Sequence, residues 1–413
     1  MEILISLTGI AHGGAAFGRH EGKVVFVPYA LPGETVRAEV VEDHRHYAHA
    51  RLLEVVEASP DRVSPPCPYF GPEGCGGCHW QHAAYEAQLR MKAQVVMDQL
   101  SRIGGILDPS VRPTIPDPSG WSYRNQARFH PAPEGGLGFY VGESRAVVPI
   151  ENCLILHPLL ADLYDAVDLE LPGLRALTLR AGVATGERML ILETEDDEPP
   201  ILEIDIPVSC VLLRSDGALL TLIGTSSFTE IVAGRRYRVS APSFFQANTH
   251  QAGELVRLVL EYLDLTGEET VLDGYCGVGL FTVPLAERAG LVIAVESDPY
   301  AVEDLLVNTE GMENVEVVEG PIEAVLPDVE EHLDAAVVDP PRTGMTPEAL
   351  EGLIRLAPEQ LVYVSCDPAT LARDARRLAE AGYRLVEVQP VDMFPQTYHI
   401  ETVSLWRKED TRM

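Results

Sequence analysis

The sequence predicts an α/β protein: a doubly wound, mostly parallel sheet in its C-terminal part, preceded by a small β-barrel and a central, mainly antiparallel β region. Three observations carry this. After about residue 250, apolar runs ("TVLDGY", "VIAVES", "VEVVEG", "AAVVDPP", "LVYVSC", "LVEVQPVDM") alternate with helix-forming stretches, the rhythm of strands buried on both faces. Before about residue 58, short alternating strands are punctuated by "HGG" and "LPGE". Between about 120 and 240, strand-like segments are joined by tight turns. A chain of 413 residues allows two or three domains at the usual ~100–200 residues each, and the pattern divides it into 1–58, 59–240 and 241–413.

The barrel strands are "EILISLTGI", "GKVVFVPYA", "ETVRAEVVED" and "YAHARLLEVVEA". "PPCPYFGPEGCGGCHWQH" then breaks all periodicity. In "AAYEAQLRMKAQVVMDQLSRI", Leu89, Val96 and Leu100 fall near helical spacing and predict a helix over about 83–103. The segment of about 82–109 that carries it is expected to pack on the C-terminal domain. The central strands are "ALTLRAG", "RMLILETE", "CVLLRSDG", "ALLTLIG" and "YRVSAP", with the acidic "ETEDDEPP" as a solvated hairpin tip.

With 46% hydrophobic and 23% charged residues, the composition is that of a globular protein. The N-terminal "MEILISLTGIAHGG" has no basic head or cleavage site, and no window approaches the ~20 apolar residues of a membrane span, so a cytoplasmic protein is expected. The net charge of −32 opposes unspecific phosphate binding. Yet the cations are 28 Arg and only 3 Lys, and Arg is the residue whose planar fork grips phosphate and stacks on bases. Seven cysteines, an odd and clustered set in a chain without an export signal, point to metal binding or catalysis rather than disulfides.

Open parallel sheets bind ligands at the carboxyl ends of their strands, which here carry Asp273, Glu296, Asp339 and Cys366. "LDGYCGVG" follows a strand but spells G-x-x-G-x-G, which disfavours a pyrophosphate cradle. Glu296 ends the next strand, where a carboxylate can accept from both ribose hydroxyls. This set resembles the class I S-adenosyl-L-methionine methyltransferases, and "VVDPPR" resembles the Asp-Pro-Pro motif of members that modify nucleobases.

Cys366 in "VSCDPATLARD" sits at a strand end before a helix N-terminus, whose dipole is expected to lower the thiol pKa. Carbon 5 of uracil is a poor nucleophile. A thiolate adding to carbon 6 makes it reactive, and a base must then take the carbon 5 proton so that the thiolate can leave. "DMFPQTYHIETVSL", which reads as a loop into the last strand, carries a carboxylate, Glu401, at its entrance. With "SFFQAN", "LDGYCGVGLF", "VDPPR", "SCDPATLARD" and "DMFPQTYHIE", nearly the whole chain resembles the RNA (uracil-5-)-methyltransferases. The resemblance implies Cys366 as nucleophile and Glu401 as base, with Gln246, Tyr275, Glu296 and Asp339 binding S-adenosyl-L-methionine. Leu280 departs from the Asn common in that loop, while Cys276 and Cys210 read as packing residues.

Cys67, Cys75 and Cys78, with Cys153 as a fourth ligand, fit either tetrahedral zinc or a 4Fe-4S cluster by spacing. The run differs from the ferredoxin pattern, which favours zinc on chemistry alone, whereas the resemblance implies the 4Fe-4S cluster carried by ribosomal members. The N-terminal barrel resembles the OB-like, RNA-binding TRAM domain, with Arg19, Lys23, Arg45 and Arg51 as candidate contacts and Arg124 and Arg128 as further substrate-facing cations. TRAM domain and cysteine cluster together imply the 23S rRNA branch and an RNA partner. No membrane partner is expected, and a monomer is. The competing readings are a tRNA uracil-5 enzyme, an exocyclic-amine methyltransferase that leaves Cys366 and Glu401 idle, and a non-catalytic iron-sulfur RNA-binding protein.

Overall fold

The computed structural model describes residues 1–142, 144–167, 171–195, 198–201 and 205–409. β1 (Glu2–Ile10) alternates strictly and turns Ile3, Ile5 and Leu7 inward. With β2 (Ala16–His20), β3 (Lys23–Val27), β4 (Thr35–Asp43) and β5 (Tyr47–Glu57) it closes a barrel in the order β1-β2-β3-β5-β4. β2 is absent from the strands read in the sequence, because five residues with a central glycine carry too little alternation to announce a strand.

The expected helix is α1 (Tyr85–Arg102). β6 (Gln126–Pro131), β7 (Leu137–Tyr140) and β8 (Val147–Pro149) precede α2 (Pro158–Asp165), and β9 (Leu174–Ala181), β10 (Arg188–Thr194), β11 (Ser209–Leu213) and β12 (Leu219–Ile223) follow it. These strands form one sheet in the order β12-β11-β10-β9-β6-β7-β8. Its pairs are antiparallel except β10 with β11, which run parallel from Met189↔Ser209 to Leu192↔Leu212. "ETEDDEPP" therefore belongs to a crossover, not to a hairpin tip. A parallel step needs a long connection, and the run between β10 and β11 supplies it; Asp196 and Asp197 lie outside the described residues. "YRVSAP" likewise leaves the sheet: β14 (Arg235–Ser240) pairs only with β13 (Ser227–Val232), as a separate hairpin.

The C-terminal part alternates as expected: α3 (Thr249–Leu263), β15 (Thr270–Gly274), α4 (Thr282–Ala286), β16 (Leu291–Glu296), α5 (Pro299–Asn308), β17 (Val315–Glu319), α6 (Ile322–Val325), β18 (Ala335–Val338), α7 (Pro347–Leu356), β19 (Gln360–Ser365) and α8 (Pro368–Glu380). β20 (Tyr383–Val391) and β21 (Glu401–Lys408) complete a sheet of order β17-β16-β15-β18-β19-β21-β20. The first five strands are parallel, and β21 runs antiparallel to both its neighbours. No helix among the described residues is long and apolar enough to cross a membrane.

α1 packs on α8 and β20, and the barrel interior, α1 and that face of the sheet share one apolar cluster. Two polar residues of α1 are also fully buried. The Lys92 ammonium donates to Asp392 Oδ1 (2.5 Å) and Phe394 O (3.0 Å). Burial pulls the Lys92 pKa down while Asp392 opposes the shift. Gln88 Nε2 donates to Gln396 Oε1 (2.9 Å), its Oε1 accepts the Gln396 N–H (3.0 Å), and the His79 and Trp80 amides both donate to Gln396 O (2.9 Å). The chain from Asp392 to Gln396, which leads into β21, is thus pinned from the N-terminal half of the sequence.

Lys92→Met strands a buried carboxylate and should destabilise the protein by about 3–5 kcal/mol in urea unfolding. Lys92→Met combined with Asp392→Asn should recover most of that loss. Equal stability of the single variant and the parent would show that the ammonium is not needed.

Candidate active site

A cavity of about 700 Å³ opens at the carboxyl ends of the parallel strands, and its lining includes Gln246, Tyr275, Glu296, Asp339, Cys366 and Glu401. All six candidate residues outside the cysteine cluster therefore meet in one space. Glu296 ends β16, and its carboxylate accepts the N–H groups of Gly277 (2.8 Å), Ser297 (2.7 Å) and Asp298 (2.8 Å), which fix it at the cavity floor. Tyr275 is left-handed at φ +63°, a strained conformation for a non-glycine residue at the turn out of β15. Gly279, four residues after Tyr275, has φ +96°, and a Cβ there would lie 2.7 Å from Leu305 Cδ1. Leu280 is buried in the core and outside the cavity lining, and Cys276 and Cys210 are buried packing residues.

Gln246 is held by the central region. Asn125 Nδ2 donates to Gln246 O (3.0 Å), and the Asn125 amide donates to Ala247 O (2.9 Å). The buried Arg180 guanidinium donates to the carbonyls of Ser240, Ala241 and Ser243 (3.2, 2.9 and 2.7 Å), just upstream.

Cys366 follows β19, and Glu401 is the first residue of β21. The β19–β21 register ends at Ser365↔Thr402, so one further step sets Cys366 opposite Glu401, at the Cα separation of about 4.5–5.5 Å between facing antiparallel residues. Glu401 is 3% exposed, whereas Cys366 and Asp339 are partly open to the cavity.

The expected lowering of the Cys366 pKa is not what the surroundings produce. Burial, with Glu401 and Asp339 beside it, pushes the thiol up to about 12, and only Arg342 pulls the other way. The cap explains the failure of the helix dipole: Asp367 Oδ1 accepts the first free amides of α8, Ala369 (2.9 Å) and Thr370 (3.0 Å), so they do not face the sulfur. Burial and Asp339 raise Glu401 well above the carboxylate range, against Arg342, and burial raises Asp339 as well. Arg342 is thus the cation that counters charge on both Cys366 and Glu401. It stood in the quoted "VDPPR" run without being singled out. Phe244, 71% exposed at the cavity, and Phe394 were passed over in the same way inside "SFFQAN" and "DMFPQTYHIE".

A second cavity, of about 280 Å³, is lined by Cys67, Cys75, Cys78 and Cys153. Burial, with the other thiols of the set beside them, raises Cys75 to about 11 and Cys78 to about 12. Among the described residues no group of three or more His, Cys, Asp or Glu side chains is placed to hold a metal ion. Arg124 and Arg128 line this cavity and not the catalytic one, and Arg128 is held by Glu193 (2.9 Å). On the barrel, Lys23 pairs with Asp43 and Arg51 with Glu39. Arg19 and Arg45 have no ion pair among the described residues.

A parallel sheet with a carboxylate at the end of β16 and a glycine-rich turn after β15, both on one cavity, is the arrangement expected of a class I methyltransferase domain. The comparisons with known proteins narrow this. Residues 1–53 match the TRAM domain, 234–352 the TRM5/TYW2 methyltransferase domain, and 327–409, which contain both Cys366 and Glu401, the tRNA (Uracil-5-)-methyltransferase model. An uncharacterized RNA methyltransferase of Gloeobacter violaceus is 37% identical over 97% of this chain and 95% of its own length. One from Halalkalibacterium halodurans is 38% identical over 97% and 96%. The Pyrococcus abyssi tRNA (uracil-54, C5)-methyltransferase, solved with S-adenosyl-L-homocysteine, aligns with a TM-score of 0.78 at 26% identity, over 98% of this chain and 99% of that one. The chain belongs to the RNA (uracil-5-)-methyltransferase family.

Behind the cavity, Asp273 is fully buried; its Oδ2 accepts from Thr282 (2.6 Å), Oδ1 has no partner, and burial raises its pKa to about 7. The folded chain therefore keeps a proton that the unfolded chain releases near about pH 4. Stability from this group is complete at low pH and is lost as pH rises through about 7. Asp273→Asn should leave the thermal midpoint unchanged at about pH 4 and raise it at about pH 8; a lower midpoint at pH 8 would mean that the carboxylate is needed in its charged form.

Proposed function

We propose that the protein transfers the methyl group of S-adenosyl-L-methionine to carbon 5 of a uridine in RNA. The observation that carries this is the pairing of Cys366 with Glu401 on the cavity that also holds Gln246, Tyr275, Glu296 and Asp339. Glu296 takes the ribose hydroxyls, Tyr275 packs beside the cofactor, Gln246 contacts it, and Asp339 stands between cofactor and uracil. The Cys366 thiol gives its proton to solvent and the thiolate Sγ bonds to carbon 6, leaving an enolate whose carbon 5 attacks the sulfonium methyl and releases S-adenosyl-L-homocysteine. Glu401 then takes the carbon 5 proton, the carbon 6–sulfur bond breaks, and the 5-methyluridine is free. The burial that makes Glu401 reluctant to ionise also makes it a strong base once it has. An exocyclic-amine transfer would use Asp339 and leave this pair without a task.

The substrate proposed is 23S rRNA, on the joint presence of the barrel and the cysteine knuckle. The second reading, a tRNA, draws on the name of the Pyrococcus abyssi enzyme. The RNA surface includes the outer barrel face, where Phe17↔Phe26 and Phe26↔His49 are cross-strand neighbours and the Phe26 and His49 rings stack at 5.5 Å, with Arg19 and Tyr47 alongside. Such a ladder suits bases splayed from a single strand. Residues 1–58, 59–240 and 241–413 serve as barrel, central and catalytic domains. Cys67, Cys75, Cys78 and Cys153 would hold a 4Fe-4S cluster in a structural role; stoichiometric zinc without sulfide in anaerobically purified protein would exclude it.

Incubated with cofactor and 5-fluorouridine RNA, the protein should form a stable covalent adduct, because fluorine cannot leave as a proton. Cys366→Ala should abolish the adduct, and Glu401→Gln should accumulate one on ordinary RNA, as seen by denaturing gel and mass spectrometry. Methylation by either variant at the parent rate would remove these roles. Nucleoside mapping of rRNA and tRNA from cells with and without the gene decides between the substrates. Because the thiol titrates near 12, the adduct rate should keep rising between about pH 6 and about pH 9; a plateau from pH 6 upward would mean that the sulfur is already ionised.

A further inference from the structure

The turn between β1 and β2 reaches out of the barrel to the base of the nucleophile. Its backbone is closed by Ala11 N–H to Ala15 O (2.9 Å) and Gly14 N–H to Ala11 O (3.0 Å). Trp80 Nε1 donates to Gly14 O (3.0 Å). Gly14 has φ +87°, and a Cβ there would lie 2.8 Å from Tyr398 Cβ, so the turn is seated against the segment that leads to Glu401. At its tip, His12 Nε2 lies 3.3 Å from Asp367 Oδ2.

Asp367 is the residue after Cys366 and the cap of α8. Its Oδ1 is occupied by the amides of Ala369 and Thr370, its N–H donates to Ser365 Oγ (3.2 Å), and Ser365 Oγ donates to its carbonyl (3.0 Å). The free carboxylate oxygen, Oδ2, is the one His12 engages. Burial works against ionisation of Asp367, but His12 and the cap amides hold it down at about 2, so it stays a carboxylate. That charge is one of those opposing a thiolate at Cys366. His12 also lines a groove of about 580 Å³ with Phe17, Arg19 and Phe26, between the barrel and α1.

We propose that His12 is a positioning residue for the reaction: by bonding to Asp367 Oδ2 it fixes the turn that aims Cys366 Sγ and offsets the carboxylate charge beside it, so the barrel completes the catalytic site. The inference rests on the uracil-5 reading above. His12 touches neither uracil nor cofactor in this role; it acts through Asp367.

The test uses the full-length protein with its cofactor and 5-fluorouridine RNA. The parent must form the adduct; if it does not, the reaction reading fails and not this one. Given that adduct, His12→Ala should slow its formation tenfold or more and lower kcat, leaving KM for S-adenosyl-L-methionine, RNA affinity and thermal midpoint near those of the parent. His12→Gln, which keeps a neutral donor for Asp367, should recover most of the rate. In a cycle with Asp367→Asn, the double variant with His12→Ala should be no slower than Asp367→Asn alone. An adduct rate unchanged in His12→Ala, a defect confined to RNA affinity, or additive losses in the cycle would each overturn the proposal.

Discussion

The reversal of one strand makes the site. The sheet's ligand-binding edge is where β15, β16, β18 and β19 end, and β21 runs against them, so the same edge is where β21 begins. A residue that finishes a parallel strand and one that starts the reversed strand become direct neighbours, and this is how Cys366 and Glu401 meet although 34 residues lie between them. Their separation is set by the hydrogen-bond ladder, not by loop conformation. Side chains alternate with period two, so a slip of one residue between β19 and β21 would turn one partner away from the other.

The electrostatics of that edge are unusual for a site proposed to work through a sulfur nucleophile. Cys366, Glu401 and Asp339 are all acids in a low-dielectric space, with Arg342 as the cation that acts on the first and second. Each disfavours charge on the others, so the resting site stores its protons. Reactivity then depends on what arrives: a sulfonium cofactor brings positive charge to the carboxylates, and a uracil ring excludes the remaining water. The same burial keeps an exposed, indiscriminately reactive thiolate from existing between turnovers.

Much of this was legible in the residues. Asp273, Glu296, Asp339 and Cys366 each terminate or abut an apolar run, which is what a parallel strand with a functional tip looks like in one dimension. The barrel strands other than β2 were visible from alternation, and α1 from its spacing. Pairing direction was not: the residues of β10 and β11 would serve either direction, and only the length between them hinted at a crossover. The state of the Cys366 thiol was misread because a helix N-terminus is local in sequence, whereas the carboxylates that outweigh it arrive from β18 and β21. Gln88 and Lys92 are of residue types usually found on the solvent side of a helix, yet both are 0% exposed, and their partners lie some 300 residues away.

The strand order also has a temporal side. β21 follows β20 in the chain but lies between it and β19, so the edge of β19 away from β18 stays unpaired until β21 has emerged during synthesis. Until then a long, apolar edge at β19 stands open, the kind of surface that invites mispairing with other nascent chains. α1, made much earlier, already packs on α8 next door and holds the ammonium that awaits Asp392. α1 and the barrel therefore cover the face of the sheet into which the last strand inserts, as parts of one apolar core.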